Sequence, residues 1–149
     1  MAAGGGATLV EDRALRRCAL PGGDELGWSG WEDPDTGWAL TGALAEVDGT
    51  WFAGAYDGRV GVLRPGAAAL VPALALPEPS AATALLPLGD RLVVGYADGR
   101  VRLWDVSTGT MEAEWALHLG EVRALARCGD RLCSASEDTT VCAVTLPPR

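Results

Sequence analysis

The chain has 149 residues, a length for one domain with a sizeable core if its sheets close on one another. Hydrophobic residues make up 48%, with 20 glycines and 9 prolines, which suits a globular, turn-rich chain and excludes a disordered one. The net charge of −8 includes no basic run beyond Arg13, Arg16 and Arg17, so nucleic-acid binding through an electrostatic stripe is not expected.

Residues 1–6 read as frayed. The start lacks a charged segment followed by an apolar one, and Glu11 and Asp12 come early for a transit peptide, so secretion and import are disfavoured. Ala7 to Val10 and Leu15 to Leu20 each read as a short strand, separated by Glu11-Asp12-Arg13. Gly22 to Trp38 is rich in Gly, Trp and acids and has no clear period, so it reads as loop. The first unit of the chain is thus residues 1–38.

From residue 39 onward a repeat appears. The segment Gly89-Asp90-Arg91-Leu92-Val93-Val94-Gly95-Tyr96-Ala97-Asp98-Gly99-Arg100-Val101-Arg102-Leu103-Trp104-Asp105 reads as two apolar strands joined by Asp98-Gly99, a strong hairpin signal. It aligns with residues 48–63 through Asp57 and with residues 129–144 through Asp138, at offsets of 41 (98 minus 57) and 40 (138 minus 98). A two-residue turn at Asp98-Gly99 pairs Val94 with Leu103 and Tyr96 with Val101. The same rule pairs Ala53 with Val62, Ala55 with Val60, Cys133 with Val144 and Ala135 with Cys142. Thr139 replaces the turn glycine in the last copy, and because a β-branched residue resists positive φ, that turn is expected to differ in shape.

An apolar segment precedes each hairpin: Ala39 to Glu46, Ala81 to Leu88 and Val122 to Cys128. Ala67 to Leu76 and Thr110 to Leu117 follow the first two. One unit is four short strands in about forty residues, the size of a propeller blade. The fold class expected is therefore all-β, a partial propeller of three four-stranded antiparallel blades at about 39–79, 80–117 and 118–149. Residues 65–89 contain a single charged residue, Glu78, but Pro72, Pro77, Pro79 and Pro87 would break a spanning helix, so no membrane partner is expected.

Val101-Arg102-Leu103-Trp104-Asp105, followed by His118-Leu119-Gly120-Glu121-Val122 and Leu132-Cys133-Ser134-Ala135-Ser136-Glu137-Asp138, resembles the WD-repeat family. In that family Trp-Asp closes the third strand, Gly-His opens the next repeat, and Ser-x-Asp ends its second strand; here Leu117 stands where the glycine belongs. The resemblance covers roughly 39–145 and is strongest over 89–145. It implies a buried hydrogen-bonded set per blade. The last copy supplies His118, Asp138 and Ser136, or Ser134 in a shifted register. The middle copy supplies Asp98 and Trp104, and the first Asp57 alone. No copy is complete, so apolar packing should carry more of the fold than this network.

Function follows the resemblance: a non-catalytic protein-interaction scaffold, cytoplasmic with the nucleus also compatible, needing no cofactor. The partners are other proteins of unstated identity. By the same resemblance the residue before each turn aspartate lies near the binding face, which nominates Tyr56 and Glu137. Adaptors that recruit cullin ligases often carry Arg two places after Trp-Asp; this chain has Ser107. His118, the only histidine, reads as structural, since no nucleophile motif accompanies it. Asp33-x-Asp35-x-Gly37 has too few oxygen ligands at the right spacing for a calcium loop, and the four cysteines fit no zinc spacing, so no metal is expected. The cysteines read as reduced and buried, with Cys133 and Cys142 diagonal to each other. An alternative function is a small-ligand or peptide-binding module using Trp28, Trp31 and Trp38, although these side chains also suit a hydrophobic plug.

Three blades bury too few of their faces. The expectation is therefore a fragment or truncated member of a longer propeller, with self-association through incomplete blades as the weaker route. Leu15 to Leu20 is a candidate for the missing outer strand of the last blade.

Overall fold

A computed structural model describes residues 5–11, 13–20, 25–31 and 39–148 of the chain, and all of its elements are strands. They form four antiparallel sheets in chain order. The first contains β1 (Gly5–Glu11), β2 (Ala14–Leu20) and β3 (Glu25–Gly30). The second contains β4 (Leu40–Val47), β5 (Thr50–Ala55), β6 (Val60–Leu63) and β7 (Val71–Ala73). The third contains β8 (Ala82–Leu88), β9 (Arg91–Tyr96), β10 (Arg100–Asp105) and β11 (Thr110–Ala116). The fourth contains β12 (Val122–Cys128), β13 (Arg131–Ser136) and β14 (Val141–Thr145). In each sheet the strands meander from first to last, and the first strands touch in series: β1 with β4, β4 with β8, β8 with β12. This is the blade arrangement of a propeller, in which each sheet hides a face against the next.

The core lies between the sheets. Leu15 and Trp31 pack on Leu40, Ala53, Ala55, Leu63 and Leu70. Phe52, Val60 and Val62 of the second sheet meet Leu92, Val94, Tyr96 and Trp104 of the third. On the other side of the third sheet, Ala84, Val93, Val101 and Leu103 meet Val122, Leu132 and Leu146. Leu92, Val93, Val94, Val101 and Leu103 are all fully buried, because β9 and β10 are covered on both faces. At about 1.5–3 kcal/mol per buried large aliphatic side chain, these interfaces supply most of the folding free energy.

Several expectations change. The N-terminal region is a sheet of its own: β1 begins at Gly5, and β3 forms inside the stretch expected to be loop. Its Gly and Trp residues mask the two-residue alternation that marks a strand. Leu15 to Leu20 does not complete the last blade, since β2 is hydrogen bonded on both edges by β1 and β3. The last sheet therefore has three strands instead of four among the described residues.

The hairpin register also differs by one residue. Val93 pairs with Leu103 and Val94 with Arg102, Phe52 pairs with Val62, and Cys133 pairs with Ala143. The cause is the turn. Gly99 N–H donates to Tyr96 C=O at 3.1 Å and Gly58 N–H to Ala55 C=O at 3.1 Å, which makes each loop three residues long with its glycine at positive φ, 85° and 93°. Thr139 repeats this geometry: its N–H donates to Ser136 C=O at 3.2 Å and its φ is 73°. The last turn thus has the shape of the other two. Tertiary structure holds a β-branched residue in a conformation that its side chain opposes.

The slip also moves the cysteines. Cys133 faces Ala143 and Cys142 faces Ser134, so the two sulfurs lie on opposite sides of the sheet; both are free thiols. Cys128 is exposed, contrary to the expectation of burial. Cys18's side chain lies outside the described side chains.

Candidate functional site

The three turns after β5, β9 and β13 lie at one end of their sheets, beside the segments that lead into β4, β8 and β12. One hydrogen bond recurs there. Tyr56 N–H donates to Ala39 C=O at 3.0 Å, Ala97 N–H to Ala81 C=O at 2.9 Å, and Glu137 N–H to Glu121 C=O at 3.0 Å. Each turn aspartate also caps the strand that follows. Asp57 accepts from Arg59 N–H at 3.0 Å, Asp98 from Arg100 N–H at 3.0 Å, and Asp138 from Thr140 N–H at 2.9 Å. These aspartates hold the turns by short local bonds. The residues before them face outward: Tyr56 is 57% exposed, and Glu137 forms an exposed ion pair with Arg123 at 2.7 Å.

In the last sheet, His118 sits in the loop before β12, and its own N–H is bonded to Gly99 C=O of the preceding turn at 3.2 Å. Its Nε2 lies 2.8 Å from Ser134 Oγ, and its Nδ1 lies 2.7 Å from Thr140 Oγ1. Thr140 Oγ1 donates in turn to Asp138, whose other oxygen accepts Leu119 N–H at 2.9 Å. With the threonine proton given to the carboxylate, Nδ1–H is the donor to Thr140 and Nε2 the acceptor from Ser134. The bonds from Thr140 and from Leu119 N–H hold Asp138 well below the usual carboxylate range. Ser134 and His118 are both buried, so this row of polar groups ties the loop to the sheet.

Ser134 is therefore the serine of this network, and Ser136 is not: Ser136 Oγ accepts Asp138 N–H at 3.1 Å. Thr140 joins the histidine to the aspartate. Its place was legible, since Ser134, Ser136, Asp138 and Thr140 follow a two-residue period around the turn.

The third sheet solves the same problem differently. Position 78, forty residues before His118, holds Glu78, and position 94 holds a valine in place of Ser134. Trp104 Nε1–H instead donates to the buried Tyr96 hydroxyl at 3.0 Å. Burial pushes the Tyr96 phenol well above its ordinary value, against the opposing effect of the Trp104 bond and the Arg102 charge. Arg102 lies 4.5 Å from the centre of the Tyr96 ring, and its Nε donates to Glu114 at 2.7 Å. A cleft of about 470 Å³ opens beside this group, lined by Leu76, Pro77, Glu78, Asp98, Arg100 and Met111 among others. In the first copy Asp57 pairs with Arg59, while Leu63 at the tryptophan position is plain core.

Trp31 is placed in the core at 7% exposure, where its ring covers Gly61 closely enough that a Cβ there would stand 3.1 Å from Cη2. That removes it from the surface as an aromatic anchor. Trp38 and the Trp28 side chain lie outside the described residues, as do Asp33, Asp35 and Gly37. Among the described residues no three His, Cys, Asp or Glu side chains are grouped to hold a metal. No helix is long and apolar enough to cross a membrane.

The sheet with the Trp104–Tyr96 pair is also where the sequence meets a known family: residues 78–105 match the WD domain, G-beta repeat. The chain is similar in structure to the computationally designed Ika4 protein, with 26% identity and a TM-score of 0.71 over 94% of this chain and 86% of that one. It is also similar to a chain of the mitotic checkpoint complex, with 16% identity and a TM-score of 0.75 over 93% of this chain and 44% of that one. The designed Ika8 protein matches at 21% identity and a TM-score of 0.52 over 94% of this chain and 57% of that one. The chain thus spans about half the length of the last two. No curated protein sequence matches it.

The class defined by this fold is the β-propeller. Within it, one segment of the chain, residues 78–105 of the third sheet, carries the match to the WD repeat.

Proposed function

We propose that the chain is a non-catalytic, cytoplasmic protein-interaction scaffold that presents partners with the end of the blades carrying the turns at 56–58, 97–99 and 137–139. The observation that carries this reading is the pairing of a WD-domain match over 78–105 with three equivalent turns whose residues ahead of the aspartate stand outward at Tyr56 and Glu137. The turns are fixed by local bonds to Asp57, Asp98 and Asp138, so the surface they form is preorganised, which lowers the entropy lost on binding. An exposed tyrosine contributes a large rigid contact area, the usual character of an interface anchor.

A photo-crosslinking amino acid placed at Tyr56, and separately at Asp130 in the opposite-end turn, tests the reading in cells. Protein adducts should form from position 56 and be depleted by Glu137→Lys. Adducts confined to position 130 would refute the choice of face.

A further inference from the structure

The outer edge of the last sheet differs from its neighbours. In the second and third sheets the fourth strands, β7 and β11, cover the edges of β6 and β10, whereas β14 pairs with β13 alone among the described residues. The bonds from Ser136 N–H to Thr140 C=O and from Leu146 N–H to Asp130 C=O mark which β13–β14 pairs are hydrogen bonded. By the antiparallel alternation, Cys142 and Val144 then turn their backbone groups toward β13, and Val141, Ala143 and Thr145 turn theirs outward. Val141 is 75% exposed.

An uncovered edge is normally guarded by charge, proline or brevity. β7 is three residues long with Pro72 at its centre, and β11 carries Glu112 and Glu114. β14 reads Val-Cys-Ala-Val-Thr and has none of these guards.

The broad face of the same sheet is not cut to receive another blade. In the interior faces Gly95 and Gly99 admit the next sheet so closely that a Cβ would stand 2.5 Å from Val122 Cγ1 and 2.1 Å from His118 C=O. Thr83 clips across to Val122 C=O at 2.6 Å, as Thr41 does to Ala82 C=O at 2.6 Å. Forty residues on, the corresponding positions hold Ala135, Thr139 and Arg123. Both notches are filled, and the clip is replaced by a charge.

We infer that β14 pairs antiparallel with β14 of a second copy of this chain, about a twofold axis through Ala143. An antiparallel edge is complementary to itself under a twofold axis. This register sets Ala143 against the second copy's Ala143, and Val141 against its Thr145. Three outward residues on each copy, each giving one N–H and one C=O, make up to about six new hydrogen bonds, with no charged side chain in the seam. The two three-stranded sheets become one continuous six-stranded sheet, and Val141 gains cover. This inference is independent of the scaffold reading, whose turn surface lies at the end of the sheets and not along this edge.

Light scattering after size exclusion, on the full chain from low to high micromolar concentration, should show a rise from 15.4 kDa toward twice that mass. Ala143→Lys puts like charges opposite each other at the axis and should weaken association by about tenfold or more. Met111→Lys, on the guarded edge of β11, should leave association unchanged. Should Ala143→Lys fold poorly, amide exchange of the unaltered chain decides the matter, because Val141, Ala143 and Thr145 should slow with concentration. A monomer at every concentration, or a dimer in which those three amides exchange at the dilute rate, overturns the proposal.

Discussion

Thr139→Gly should stabilise the protein. Thr139 has φ of 73° in a turn whose counterparts are Gly58 and Gly99. A left-handed conformation costs a residue with a Cβ about 1–2 kcal/mol. Glycine gives back about 0.5–1 kcal/mol through its greater freedom in the unfolded chain. The difference is a net gain of about 0.5–1 kcal/mol, which for a chain of this size moves the thermal midpoint up by roughly 1–4 °C. Urea unfolding followed by circular dichroism, with thermal scans in parallel, reads it directly. Gly99→Ala is the matched control. It adds a Cβ that would stand 2.1 Å from His118 C=O at a φ of 85°, and should cost more than about 2 kcal/mol. A loss of stability in Thr139→Gly would refute the common turn geometry and the one-residue register that follows from it.

Other variants probe the buried polar groups. His118→Ala leaves buried Ser134 and part-buried Thr140 without their nitrogen partners and should cost about 2–4 kcal/mol in urea unfolding. Tyr96→Phe strands the buried Trp104 N–H and should cost about 1–3 kcal/mol at neutral pH. It should also change the alkaline profile. The folded phenol keeps its proton more tightly than the unfolded one, so its contribution is present below the ordinary tyrosine value of 10.0 and fades as pH rises above it; the variant lacks that loss. Asp138 works in the opposite direction. Its folded carboxyl releases its proton more readily than the unfolded one, so its contribution is present above the ordinary value of 3.8 and is lost as pH falls below it, a slope that Asp138→Asn removes.

How much of this was legible depended on whether a side-chain pattern reported the backbone. The repeat was legible because Asp57, Asp98 and Asp138 recur beside fixed turns, and the strands from β4 onward fall where the apolar segments predicted them. The register was not, because Asp-Gly serves both a two-residue and a three-residue loop. In the three-residue loop the glycine N–H closes the turn on Tyr96 C=O, and Gly99 lies close under His118 C=O. In β3 the Gly-Trp-Ser-Gly run conceals alternation, since glycine carries no side chain to show a face. Trp31 reads from the sequence as either a binding anchor or a hydrophobic plug, and its burial over Gly61 makes it core. His118 and Asp138 read from the sequence as direct partners, whereas in the structure Thr140 stands between them. The Tyr96–Trp104 bond was not legible, because Tyr96 sits in an apolar strand pattern that reads as plain core.

Hydrogen exchange, read strand by strand at low concentration, tests the stacking of blades most directly. With Val93, Val94, Val101 and Leu103 covered on both faces, the amides of β9 and β10 should open only on global unfolding, and the outer strands β11 and β14 should exchange well before them. Exchange in β9 and β10 as fast as in β14 would contradict a structure built on a doubly covered third sheet.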